Sequence, residues 1–130
     1  MIDLNRFLER KVQYIKAVMR LREACLQKES TFLRDSVVQR FEMSWELAWK
    51  LLQLRLAILG VETKNPRDTW AESLKAGLIN DGSAWSALQK MRNLTSHTYD
   101  EEIAVEVYQH VKEKGLALFE TLVRQVETWS

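Results

Sequence analysis

The most constraining stretch of the chain is residues 31–59, where two apolar ladders run side by side. Val38, Phe41, Trp45, Ala48, Leu52, Leu56 and Leu59 recur at intervals of three and four. Val37, Ser44, Leu47, Leu51, Leu54 and Ile58 keep the same rhythm on an adjoining face. The spacing is helical, because side chains three and four apart share a face. A helix apolar over so wide an arc lies at the centre of a bundle, or packs on the bundle with one side and on a partner with the other. Gln39, Glu42, Glu46, Trp49 and Gln53 run between the ladders, and Glu46 stands one turn before Lys50, an ion-pair spacing. Glu42 and Glu46 are either an exposed stripe, or one of them faces the junction at 92–99 and holds Arg92 or His97 in place.

One Pro and four Gly in 130 residues, with few β-branched clusters, fit an all-α chain of one domain. Leu4, Leu8, Val12, Ile15, Met19 and Leu26 mark an apolar stripe on a helix over 3–28. Ser30 or Thr31 is placed to cap the long helix, and Gly60 to stop it. Asn65-Pro66 starts a short helix over 66–76, which Gly77 ends. Asp81-Gly82-Ser83 reads as a turn, with Ser83 capping a helix over 84–96. Thr98 and Glu101 fit a capping box for a last helix over 101–128, which carries Ile103, Val107, Val111, Leu118, Leu122 and Trp129. The architecture that follows is an antiparallel up-and-down bundle of four main helices plus one short helix.

Net charge is only +1, so no global field points to nucleic acid. The charge is unevenly placed, however. Residues 1–28 carry a net +4 and residues 100–130 a net −4. Either the first and last helices lie side by side, or the basic segment is a surface for a polyanion. A single cysteine, Cys25, excludes an internal disulfide and a cysteine-rich metal site. Asp3, Arg6 and Glu9 interrupt any signal-peptide pattern, and no apolar run approaches the roughly 20 residues that span a bilayer. The cytoplasm is the default location, and no membrane is expected. Two histidines thirteen apart give no metal spacing, and no Gly-rich phosphate loop occurs.

The chemistry-bearing stretch is the junction before the last helix. Arg92, Asn93, Thr95, Ser96, His97, Tyr99 and Asp100 fall within nine positions. On one continuous helix Arg92 and His97 would stand about 140° apart and share no face. They cooperate only if the helix ends between them or if two chains meet. An arginine beside an imidazole suits phosphodiester chemistry without a metal. The imidazole moves the proton of a ribose 2′-hydroxyl, and the guanidinium neutralises charge on the phosphoryl oxygens. Asn93, Thr95 and Ser96 are candidate hydrogen-bond donors to phosphate. A hydrogen-bonded surface turn uses the same residue types. His110 reads as a helix-surface residue, and the five tryptophans as core, with Trp49 or Trp85 open to stacking on a base.

The run Arg92-Asn93-Leu94-Thr95-Ser96-His97-Thr98-Tyr99 resembles the R-x4-H-x-Y motif of HEPN domains (higher eukaryotes and prokaryotes nucleotide-binding). With RDSVVQRFEMSWELAWK (34–50), NPRDTW (65–70) and GLINDGSAW (77–85), the chain is similar to the nucleotidyltransferase substrate-binding branch of that family from about residue 5 to 125. The resemblance implies one helical bundle domain over residues 1–130 and a homodimer whose motifs face a shared cleft. It implies a toxin-like, metal-independent endoribonuclease with Arg92 and His97 as the catalytic pair. The protein would need no cofactor of its own. Its partner would be a minimal nucleotidyltransferase acting as antitoxin, which uses ATP and Mg²⁺ to adenylylate Tyr99. An older view of the branch implies instead a non-catalytic subunit that presents a nucleotide or other substrate to the transferase.

Overall fold

The computed structural model describes residues 4–129; the expected helix start at Asp3 lies outside them. Among these residues the chain is helical, with no strand: α1 (Leu4–Cys25), α2 (Thr31–Ile58), the short α3 (Pro66–Lys75), α4 (Gly82–Leu94), α5 (Glu101–His110) and α6 (Leu116–Val126). A 3₁₀ turn, Thr95–His97, follows α4, and a π turn, Val111–Gly115, joins α5 to α6. The backbone stays helical through the π turn, so α5 and α6 form one rod where the sequence predicts one helix. This is the all-α bundle that the periodicity predicts.

Local chemistry sets most of the ends. Ser30 accepts the Leu33 N–H at 3.0 Å, and Asn65 accepts that of Asp68 at 2.9 Å with Pro66 in the first turn. Gly60 and Gly77 leave their helices at φ +88° and +75°, a region that side chains disfavour. Two starts differ from the expectation. Asp81, not Ser83, caps α4, its carboxylate accepting the Ala84 N–H at 3.1 Å. Asp100, not Thr98, caps α5, accepting from the Glu102 and Ile103 N–H groups at 2.9 and 3.3 Å. The Thr98 hydroxyl is turned back to donate to the Thr95 carbonyl at 3.2 Å, and a carboxylate is the stronger acceptor at a helix N-terminus.

The centre of the bundle is α2, with both ladders largely buried; Leu59, past its end, is exposed. An aromatic ladder crosses the core from α2 to α6. Trp45 meets Trp70 at 4.8 Å, Trp70 stacks on Trp85 at 4.5 Å, and Trp85 meets Phe119 edge-on at 5.9 Å. Helix α1 returns along α2, the Arg40 guanidinium donating to the Arg20 carbonyl at 2.6 Å. It also lies against α6, so the basic and acidic ends of the chain are neighbours. Arg22 pairs with Glu120 at 2.6 Å, and Lys11 donates to the Trp129 carbonyl. The wholly buried Tyr14 hydroxyl donates to the Phe119 carbonyl at 2.8 Å, and burial raises its pKa.

The stripe read from the spacing of α1 faces outward. Leu4, Leu8, Val12, Met19 and Leu26 are 49–72% exposed, and Ile15 is half-buried. The buried face is Phe7, Tyr14, Val18, Leu21 and Cys25. Two apolar stripes compete on this helix, and the one with the aromatic rings removes more area from water. Cys25 is accordingly a core residue whose thiol pKa is raised by burial.

Candidate functional site

The junction is positioned by α4. Trp85 and Leu88 anchor that helix in the core, and the fit is close at the rod: a Cβ on Gly115 would come within 2.9 Å of Leu88 Cδ1. Arg92, in the last turn of α4, is then half-buried and turned to α2. Its Nη2 donates to Glu46 Oε1 at 3.5 Å, and its Nη1 lies 3.9 Å from Glu42 Oε2. Both carboxylates of the polar stripe on α2 therefore face the junction. The Arg92 side chain is 30% exposed and each carboxylate 39%, so the pairing orients the guanidinium more than it stabilises the fold. Glu46 makes no ion pair with Lys50; its second oxygen accepts from the Trp49 indole N–H at 3.0 Å.

Thr95 is buried beneath the arginine. Its hydroxyl accepts from Arg92 Nη1 at 2.9 Å and donates to the Arg92 carbonyl at 2.7 Å. The Ser96 hydroxyl donates to the Asn93 carbonyl at 3.2 Å. Both protons thus go to the backbone rather than outward, while Asn93 is exposed. His97 closes the 3₁₀ turn and Tyr99 lies two residues past it; both are exposed, Tyr99 by 85%. Their Nδ1 and hydroxyl oxygen are 3.3 Å apart, with the rings edge-on. The helix does end between Arg92 and His97. Within one chain, however, the turn gives them different neighbours: Arg92 has Glu42, Glu46 and Thr95, and His97 has Tyr99.

Among the described residues no cluster of His, Cys, Asp and Glu could hold a metal ion, and no helix is long and apolar enough to cross a membrane. His110 is half-buried rather than on the surface. Burial lowers its pKa, and Lys114 adds to the effect. It borders a cleft of about 560 Å³ that also takes in Asp81, Ser83, Lys114 and Thr121. The link from Trp49 to Arg92 through Glu46 is absent from the sequence reading. The spacing of three between Glu46 and Trp49 on one polar stripe is the signal that could have found it.

Residues 9–128 match the family described as nucleotidyltransferase substrate binding protein like, and the chain belongs to that HEPN-type family. Over 79 residues it is 39% identical to a Haemophilus influenzae protein named "Probable ribonuclease HepT". That match takes in 57% of this chain and 54% of the relative, so the chain spans about half the length of the curated relative it matches. A crystal structure from Thermus thermophilus is similar with a TM-score of 0.74 and 30% identity, over 88% of this chain and 95% of the other. HI0074 from Haemophilus influenzae, described as having the fold of a substrate binding domain of a nucleotidyltransferase, is similar with a TM-score of 0.66 and 29% identity. There the overlap is 97% of this chain and 100% of HI0074.

Proposed function

We propose that the protein is a metal-independent endoribonuclease of toxin type, acting in the cytoplasm through Arg92 and His97. One observation carries the reading. His97 and Tyr99 stand exposed and 3.3 Å apart, just past an arginine that two carboxylates and a threonine hold in place. In the reaction His97 takes the proton of a ribose 2′-hydroxyl. The freed oxygen attacks the adjacent phosphorus, a cyclic 2′,3′-phosphate forms, and the 5′ oxygen leaves with a proton from water. Arg92 neutralises the phosphoryl oxygens and Asn93 donates to one of them, while Thr95, Glu42 and Glu46 orient the guanidinium. A homodimer places two such junctions about one cleft and lets Arg92 of one protomer work with His97 of the other. A relative named as a ribonuclease supports the assignment.

The partner is a minimal nucleotidyltransferase that uses ATP and Mg²⁺ to adenylylate Tyr99. An AMP group there adds bulk and negative charge beside His97, where an RNA phosphate has to sit. The test uses the purified protein and RNA in EDTA. Wild type cuts; Arg92→Ala and His97→Ala do not. Intact RNA with wild type sinks the proposal. Incubation with the transferase and ATP raises the intact mass by one or more AMP units, and Tyr99→Phe abolishes the rise.

A second reading, a non-catalytic subunit that presents a nucleotide to the transferase, is favoured by one observation. Glu42 and Glu46 draw on the charge of Arg92, which a nuclease needs for phosphate. Under it the same protein cuts no RNA yet binds the transferase and a nucleotide.

A further inference from the structure

We infer that a basic cleft beside Trp49 is a second contact for single-stranded RNA, flanking the Arg92–His97 junction. The cleft, of about 190 Å³, opens where the start of α1 passes the second half of α2. Arg6, Arg10, Lys50, Trp49, Gln53 and Leu54 line it: three cations, one indole and no acid. Arg10 and Lys50 are half-buried and make no ion pair among the described residues. With no described carboxylate within ion-pair distance of either, a phosphate entering the cleft is free to accept from both.

The indole of Trp49 is also half-buried, and its N–H is fixed on Glu46 Oε2. The other oxygen of that carboxylate holds Arg92. A single carboxylate therefore joins cleft and junction. Gln53 closes the far wall, its amide donating to the Thr63 carbonyl at 2.7 Å. A strand with one phosphate at Arg92 can lay a neighbouring base on Trp49 and a further phosphate between Arg10 and Lys50. Cations beside an oriented aromatic ring recognise single strands, whose bases are free to stack, whereas a duplex hides them. An acidic peptide satisfies the cations and leaves the indole unused. With a whole-chain charge of only +1, the attraction is local to this cleft.

The inference rests on the RNA reading for its ligand class but not on cleavage. The test measures anisotropy of a labelled, uncleavable 2′-O-methyl RNA oligonucleotide with the full chain across a salt series. The double variant Arg10→Ala/Lys50→Ala weakens binding and flattens the salt dependence by about 1.4 in log–log slope, at about 0.7 per single-strand contact. Trp49→Leu weakens binding about tenfold, and Trp49→Phe restores most of it. Thermal melts check each fold. Should the tryptophan variant not fold, the double variant, which leaves Glu46 and its partners in place, decides alone. Unchanged affinity and slope in the double variant overturn the inference, as does displacement of RNA by polyglutamate at equal charge. RNA cleavage with an unchanged KM in the double variant removes the cleft and leaves the nuclease standing. Cleft-dependent binding by a protein that cuts nothing does the reverse.

Discussion

Two stretches of the bundle place a histidine beside a departure from α-helical geometry, and they are built in opposite ways. At the end of α4 the backbone tightens into a 3₁₀ turn and the helix stops, so His97 and Tyr99 are delivered to solvent. Between α5 and α6 it widens into a π turn and the rod continues, with Val111 and Gly115 buried. His110, at the entry to that turn, is half withdrawn from water and loses basicity by burial. A roomy cleft lies beside His110, yet the hydrogen-bonded polar cluster lies at the end of α4, around Arg92. Cleft size and chemical equipment are separate properties here. The tightened turn presents side chains; the widened turn lets two helices approach.

The largest expected effect breaks the symmetry of the two histidines outright. His97→Ala lowers RNA cleavage about 10²- to 10⁴-fold, the usual contribution of a positioned proton carrier, while His110→Ala leaves the rate unchanged. Equal losses in a fluorogenic RNA assay refute the division of roles. Next in size is Gly115→Ala, which brings a methyl group within 2.9 Å of the buried Leu88 Cδ1; overpacking costs about 1–3 kcal/mol and the better helix preference of alanine returns about 1, so stability in urea melts falls by the difference. A neutral result means that the close approach at the π turn is not tight. At the junction, Asp100→Ala removes the cap of α5 and costs about 1 kcal/mol by the same measurement.

The smallest effect is a pH dependence. The folded pKa of His110 lies below the ordinary value of 6.5, so the unfolded chain takes up the proton first as pH falls. The stability that neutral His110 allows is present above 6.5 and is lost as pH drops through that value toward the folded one. The urea midpoint of wild type therefore falls more between about pH 7 and pH 5 than that of His110→Gln. Parallel curves remove His110 from the acid limb.

Much of the bundle was legible in the sequence because its signals are local. Ser30, Asn65-Pro66, Gly60 and Gly77 act through their own hydrogen-bonding or φ preference, wherever the helices pack. The ladders of α2 are legible because one is buried up to Leu56 and the other buried or half-buried throughout, so neither face is given up to solvent. On α1 a choice between faces does arise. Leu8, Val12 and Met19 are spaced as regularly as Phe7, Tyr14 and Val18, and only the neighbouring helices decide between them. The capping box at Thr98 failed because the helix starts two residues later: Asp100 accepts the Glu102 and Ile103 N–H groups, while its own N–H goes to the His97 carbonyl. At the site, the motif was readable as spacing, but the hold of Glu42 and Glu46 on Arg92 joins residues far apart in the chain. The π turn left no trace except Gly115, whose need for a small residue becomes visible only beside Leu88.

The ladder of Trp45, Trp70 and Trp85 has an optical consequence. Three indoles in a row, each touching the next through Trp70, are electronically coupled, and the coupling exists only while α2, α3 and α4 are assembled. Trp49 stands apart from them at the mouth of the basic cleft. Near-ultraviolet dichroism therefore reads the integrity of the bundle, and emission from Trp49 reads what touches the cleft. The chain carries separate intrinsic reporters for the core and for the cleft, with no label attached.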